Sequence, residues 1–333
     1  MSMKLWLPVA LGCTLATSTL ALAEQLVFTG MCDASAAVAL DDTHFAVADD
    51  ERDTLRIYDL TTLEQTSELN LTAYLHNRNK KGEPKEADLE GAVRRGQNVI
   101  WISSHGRNKD AQEKVFRWRL FATPIIDKSP PALAAPTHEA YPGFHADLMA
   151  YGTAHPELGL AQAEPNPPKK GGLNIEGLAD AGDDDLYIGL RSPLWNGQAI
   201  VLKMLDVSGV LSGGLGPIKM GEPLPLDLGG RGIRSMERVG DHYLIIAGPS
   251  TEDDSSEGTK LGFKLYTWNG TQSRTISSSD TDFTGLSPEA LFEIGATGHF
   301  MALSDDGTVK TGGVKCKDND AAKSFRAITF DPL

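Results

Sequence analysis

The sequence predicts an all-β fold, a single β-propeller, from three observations. Five stretches, at residues 33–38, 88–93, 174–179, 233–238 and 287–292, vary one pattern, best seen in Asp88-Leu89-Glu90-Gly91-Ala92-Val93. Each is followed by a short turn and an apolar run, at 45–48, 99–102, 186–189, 243–246 and 300–303. With Ser35, Glu90, Glu176, Ser235 and Glu289 as equivalent positions, the repeats are roughly 55 residues apart, with one longer gap. Strand-built repeats of this length close into a ring of blades.

The chain opens with Lys4, an apolar run at 5–15 and the small-residue site Ala21-Leu22-Ala23 before Glu24. This reads as an export signal over residues 1–23, cut after Ala23, leaving the propeller domain at 24–333 in the periplasm or outside the cell. No later apolar stretch approaches the roughly 20 residues of a membrane span. The formal charge of −14 becomes one unit more negative without the leader, which argues against nucleic acid as a partner. Cys32 and Cys316 remain, and an even pair in an oxidising compartment predicts a disulfide, two separate thiols being the alternative.

Residues before Ser35 and after Glu289 together make one more repeat, so the two ends complete one blade. Residues 25–29 should be its outer strand, beside 325–330, because an open blade would leave an unpaired edge. Cys32 and Cys316 would clasp this shared blade. The long gap between blades 2 and 3 exceeds the others by roughly 31 residues, fewer than the roughly 40–45 of another blade. Five blades plus a Pro-, Ala- and Gly-rich insertion at about 127–172 is the predicted count, with a degenerate sixth blade as the alternative. Only 146–151 suggests a helix there.

The insertion carries His138, Glu139, Tyr141, His145, Asp147 and His155. It overhangs the channel mouth if it follows the outer strand of blade 2, and lies on the opposite side if it precedes that strand. His138 and His145 lack the i, i+4 spacing of a helical zinc pair.

In a blade, the start of the first strand and the end of the second share one mouth. Asp33, Asp88, Glu90, Asn174, Glu176, Arg234, Ser287 and Glu289 occupy strand starts, while 49–51, 103–108, 191–193, 248–250 and 305–306 end the second strands. Side-chain alternation puts Asp88 with Glu90, and Asn174 with Glu176, on one side. Several carboxylates around one channel need cations: two like charges about 6 Å apart repel by roughly 3 kcal/mol at an effective dielectric near 20. One answer is an ion-pair ring with Arg107, Arg191, Arg231 and Arg234. The other is Ca²⁺ or another divalent cation on Asp88, Glu90, Asn174, Glu176 and Glu289, freeing the arginines and His105 for an anionic substrate. Residues 78–119 carry eleven bases against six acids, a sign reversal within an acidic chain. No G-x-S-x-G, phosphate-binding glycine loop, H-E-x-x-H or C-x-x-C occurs. Ser104 beside His105 makes no triad, since strand neighbours face apart.

The strings Ser103-Ser104-His105-Gly106-Arg107-Asn108, Leu120-Phe121-Ala122-Thr123, Leu173-Asn174-Ile175-Glu176-Gly177-Leu178 and Gly229-Gly230-Arg231-Gly232-Ile233-Arg234-Ser235 resemble a family of bacterial exported propellers known only as a domain of unknown function. The resemblance implies the fold and carries no catalytic residues. Asn174-x-Glu176-Gly177-Leu178 is also similar to a segment of phytase-like, or esterase-like, propellers, although Ser35 and Ser235 stand where a multi-calcium site would have acids.

The functional expectation is an anionic small molecule bound at the mouth. Metal-assisted phosphoester or ester hydrolysis would make Glu90, His105 and Glu176 the catalytic candidates and Arg107, Arg191, Arg231 and Arg234 the substrate-binding ones. The alternative is a non-catalytic scaffold or protein-binding propeller with a structural ion-pair ring.

Overall fold

The computed structural model describes residues 25–331 except 50, 79, 80, 83, 84, 215, 253, 254, 257, 258, 272–275 and 280. The expected leader lies outside the described residues. Five antiparallel sheets surround one axis, and in blades 1 to 4 the inner strand comes first in sequence. Blade 1 comprises Ala34–Ala39, His44–Asp49, Thr54–Asp59 and Gln65–Asn70. Blade 2 comprises Leu89–Arg95, Asn98–Ser103, Leu120–Ile126 and the short outer strand Ala132–Leu133. Blade 3 has Asn174–Asp180, Leu186–Ser192 and Ala199–Leu205, with its outer strand in two pieces, Lys219–Met220 and Leu224–Leu226. Blade 4 runs Gly232–Val239, His242–Gly248, Lys264–Trp268 and Ile276–Ser278.

Blade 5 takes Pro288–Glu293, Phe300–Ser304 and Ser324–Phe330 from the end of the chain and Gln25–Thr29 from its start. The closing pair is antiparallel, with Phe28 opposite Phe325. All five second strands fall on the apolar runs read from the sequence, and the N-terminal strand closes the ring as expected. A sixth blade is not formed. Of residues 127–172, only Ala132–Leu133 is strand, and it belongs to blade 2.

Propeller blades are hydrophobic on both faces because each packs against two neighbours, and the buried apolar side chains divide accordingly into five clusters. One cluster lies in each interface, from blades 1 and 2 (Leu55, Trp101) round to blades 5 and 1 (Phe28, Phe45, Phe292, Phe325). In the closing interface Phe28 stacks on Phe325 at 5.1 Å and meets Phe45 edge-on at 5.2 Å, so the N-terminal strand is held by ring packing as well as by its ladder. Cys32 and Cys316 form the predicted disulfide across a sequence separation of 284.

The insertion follows the outer strand of blade 2 and leads into the inner strand of blade 3, which puts it on the mouth side. Its helix, Phe144–Ala154, buries Phe144 and Leu148 in the interface between blades 2 and 3, longer than the six residues the sequence suggested. Pro167–Lys170 then reaches the channel mouth. Among the described residues, no helix is long and apolar enough to cross a membrane.

Candidate functional site at the channel mouth

Every inner strand carries a register shift near its start, between Ala34 and Ala37, Leu89 and Gly91, Ile175 and Gly177, Ile233 and Ser235, and Pro288 and Ala290. A bulge inserts an unpaired residue and re-aims its side chain. In blades 2 to 5 that residue is Glu90, Glu176, Arg234 and Glu289. This corrects the sequence alignment of the repeats by one position in blade 4, where Arg234, not Ser235, matches the glutamates. The glycine after Glu90 and Glu176 has its own cause. A Cβ on Gly177 would lie 2.8 Å from Ile233 Cγ2, and one on Gly91 2.8 Å from Leu178 Cβ, so each glycine lets the next blade close in.

The odd residue of the ring joins its neighbours. Arg234 Nε lies 2.5 Å from Glu176 Oε2, and its Nη2 donates to Glu289 Oε1. Burial, with Arg191 next, pulls the Arg234 guanidinium down to about 10 against the attraction of Glu176, Glu90 and Asp305. Glu176 Oε1 accepts from Asn174 Nδ2 at 2.6 Å and from Arg191 Nη1 at 3.1 Å. Asp88 accepts from Arg117 at 2.8 Å and from Ser104 Oγ, and Arg117 also pairs with Glu86.

These groups floor a cavity of about 660 Å³. The charges lining it are not evenly spread. Blades 2 and 3, with the insertion, contribute six cations (Arg107, Lys109, Arg117, Lys169, Lys170, Arg191) against Glu86, Asp88, Glu90 and Glu176, and blade 4 adds Glu252, which pairs with Lys169 at 2.9 Å. Blades 5 and 1 contribute Asp33, Glu51, Glu289 and Asp305 against Lys317 alone. Among the buried polar atoms of the wall that make no hydrogen bond are Arg191 Nε and Asn174 Oδ1, neither of which faces an ion-pair partner as Glu176 Oε2 does.

Most of the residues singled out in the sequence meet here: Asp88, Glu90, Asn174, Glu176, Arg191, Arg234 and Glu289. Arg107 lines the cavity but is held by Glu164, accepting from Nε and Nη2 at 3.0 Å each. Arg231 is elsewhere, donating to the carbonyls of Gly262, Leu228 and Gly229. His105 is 1% exposed, beneath the mouth rather than in it. Its Nδ1 faces the Ser103 carbonyl at 2.8 Å, Phe144 packs edge-on at 5.2 Å, and burial pushes the imidazole down to about 3. That ring is neutral and shut off from a ligand. His145 is stacked between Trp118, at 3.9 Å, and His105.

The donor set does not fit a divalent cation. Both oxygens of Glu176 face N–H groups, Glu289 is taken by Arg234 and Asp88 by Arg117. Among the described residues, no group of three or more His, Cys, Asp or Glu is disposed to hold a metal. Glu164, Lys169, Lys170 and Lys317 were missed by sequence reasoning. Lys169 and Lys170 could have been found only by knowing which face the insertion covers.

Fold and site together define a five-bladed propeller with an ion-paired channel mouth and a charge-divided cavity above it. A family described as "Protein of unknown function (DUF3616)" matches residues 153–294, from the end of the insertion into blade 5. The resemblance read from the sequence therefore holds over that span. No curated protein matches the chain. Among solved structures it is similar to glutaminyl cyclase from Myxococcus xanthus, at 11% identity over 92% of this chain and 96% of that one, with a TM-score of 0.43. It is also similar to the PQQ-bound aldose sugar dehydrogenase from Streptomyces coelicolor, at 10% identity over 93% and 99%, TM-score 0.42. A luciferin-regenerating enzyme aligns at 5% identity over 92% and 95%, TM-score 0.40.

Proposed function

We propose that this chain is an exported, periplasmic or extracellular propeller that binds a hydroxylated anionic small molecule at its channel mouth. One observation carries the reading. Arg191 and Asn174 both hold Glu176 Oε1, which fixes them side by side, and each keeps one buried polar atom unpaired: the Nε–H of Arg191, a donor, and Oδ1 of Asn174, an acceptor. Leaving such a group unsatisfied costs about 1–3 kcal/mol, so a partner bearing an acceptor beside a donor is favoured. An anionic oxygen next to a hydroxyl meets that requirement. Lys109 and Lys170 above it supply attraction that salt should weaken, while Lys169 is held by Glu252 at 2.9 Å.

Binding is favoured over metal-assisted hydrolysis because three of the carboxylates that would hold a metal, Asp88, Glu176 and Glu289, are already paired with guanidinium groups. The scaffold reading draws on the same ring, since Arg234 rivets blade 4 to blades 3 and 5. Thermal shift at low salt with phosphate, sugar phosphates, Ca²⁺ and Mn²⁺ separates the two. Hydroxylated anions should raise the midpoint, and Asn174→Ala with Arg191→Ala should abolish the rise. No shift with any anion, or a shift that survives both substitutions, would reject the site.

A further inference from the structure

Arg107 reaches the cavity wall with its charge already shared. Besides meeting the Glu164 carboxylate, its Nε–H meets the Glu164 carbonyl at 3.0 Å, and its Nη1 donates to the Ala111 carbonyl at 3.1 Å. Glu164 has a second neighbour: His145 Nε2 lies 3.8 Å from its Oε1. One carboxylate thus stands between a guanidinium that lines the mouth and an imidazole outside it. That imidazole, 8% exposed, sits where a charge can be accommodated. It stacks on Trp118 at 3.9 Å, within 8° of parallel, and an indole face attracts a cation. With Nε2–H turned to Glu164, the remaining nitrogen, Nδ1, is buried without a hydrogen bond and is the place for a second proton. Burial pulls His145 below the ordinary imidazole value, against the Glu164 and Glu113 carboxylates and the His105 backbone, while Arg107 lowers it further. The ring is therefore neutral at pH 7. Asp147, on the same helix, is engaged elsewhere, by the Tyr141 hydroxyl at 2.7 Å and the Ile218 N–H at 2.9 Å.

We propose that protonation of His145 tightens the hold of the mouth on its anionic ligand, because the imidazolium takes a share of the Glu164 carboxylate and leaves more of the Arg107 charge to the cavity. The proposal rests on the anion reading above and adds acid as its regulator. Proton and anion are linked: acid strengthens binding, and bound anion raises the proton affinity of His145 by the same factor. Asp33, on the opposite wall, also titrates. Burial first, then the charges of Asp305 and Glu51, push it up to about 8, which Lys317 partly offsets. As pH falls, Asp33 takes up its proton before His145 does, so the two act in separate ranges.

The test is calorimetric titration of the protein with gluconate and with sulfate, both of which stay anionic above pH 4.5, at steps from pH 7 to pH 4.5. Over that range the parent should gain at least about fivefold more in affinity than His145→Gln, whose side chain stays neutral. At pH 7 the two should bind alike. Glu164→Gln, which frees Arg107 outright, should bind at pH 7 about as tightly as the parent does at pH 4.5. Proton NMR of the imidazole gives a readout that needs no variant: saturating sulfate should move the His145 titration midpoint upward. An equal gain in parent and His145→Gln, an unchanged affinity in Glu164→Gln at pH 7, or a His145 midpoint unmoved by the anion overturns this proposal and leaves the anion site standing. Binding of neither anion at any pH overturns both.

Discussion

Arg234 is the residue on which the mouth is built. It is 5% exposed, between Glu176 and Glu289, and removing one partner of a buried ion pair leaves the others uncompensated, at about 3–5 kcal/mol. Arg234→Ala should lower the urea midpoint accordingly, and adding Glu176→Gln should recover part of the loss. A change below about 1 kcal/mol would mean that the ring holds nothing together. Asp33 gives the pH prediction. Its folded value is raised from 3.8 to about 8, so between those limits the native state keeps a proton that the unfolded chain has released. Its contribution is present below about pH 4 and is lost as pH rises through 8. Asp33→Asn should therefore gain stability relative to the parent between pH 5 and pH 8, read as a widening gap in thermal midpoints; a constant gap would refute the shift.

The inner strand is the element that makes the site. Its bulge places one charged residue at the axis, and the glycine beside it admits the next blade. In Gly177→Ala the added methyl would press on Ile233 and on Met236 Sδ, at 2.9 Å, and such overpacking costs roughly 1–3 kcal/mol. Equilibrium unfolding should show that loss, and unchanged stability would mean that the blades have room to spread. The closing strand is held differently. Phe28 is fully buried among rings from blades 1 and 5, and Phe28→Ala should cost about 3–5 kcal/mol. Exchange of the amide hydrogens in Ser324–Phe330 should rise with it, since this strand pairs with Gln25–Thr29.

At the scale of the whole molecule, the ring has one seam, and both the disulfide and the acidic side of the cavity lie on it. Asp33 follows Cys32 and Lys317 follows Cys316, so the crosslink fixes the backbone beside the bridge between Asp33 and Asp305. Reduction should lower stability by on the order of 5 kcal/mol in the loop-entropy model, because the bond constrains nearly the whole chain. A thermal midpoint unmoved by reductant would show that the strand ladder and ring packing close the propeller without it.

The sequence by itself determined the five second strands and the closing strand, and it favoured five blades and the disulfide over the sixth blade and the two separate thiols it left open. Each depends on periodicity or on pairing within one repeat, which the order of residues records directly. It also named most of the mouth residues, because equivalent positions in a ring must converge. Only the tertiary structure decided that Arg234 rather than Ser235 completes the set, since a one-residue bulge leaves no compositional trace. The same holds for the face the insertion covers, for the burial of His105 beneath Phe144 and for the diversion of Arg231 to backbone carbonyls. Those outcomes depend on how loops of unrelated sequence pack between blades, where no repeat constrains them and steric fit alone sets the position of each side chain.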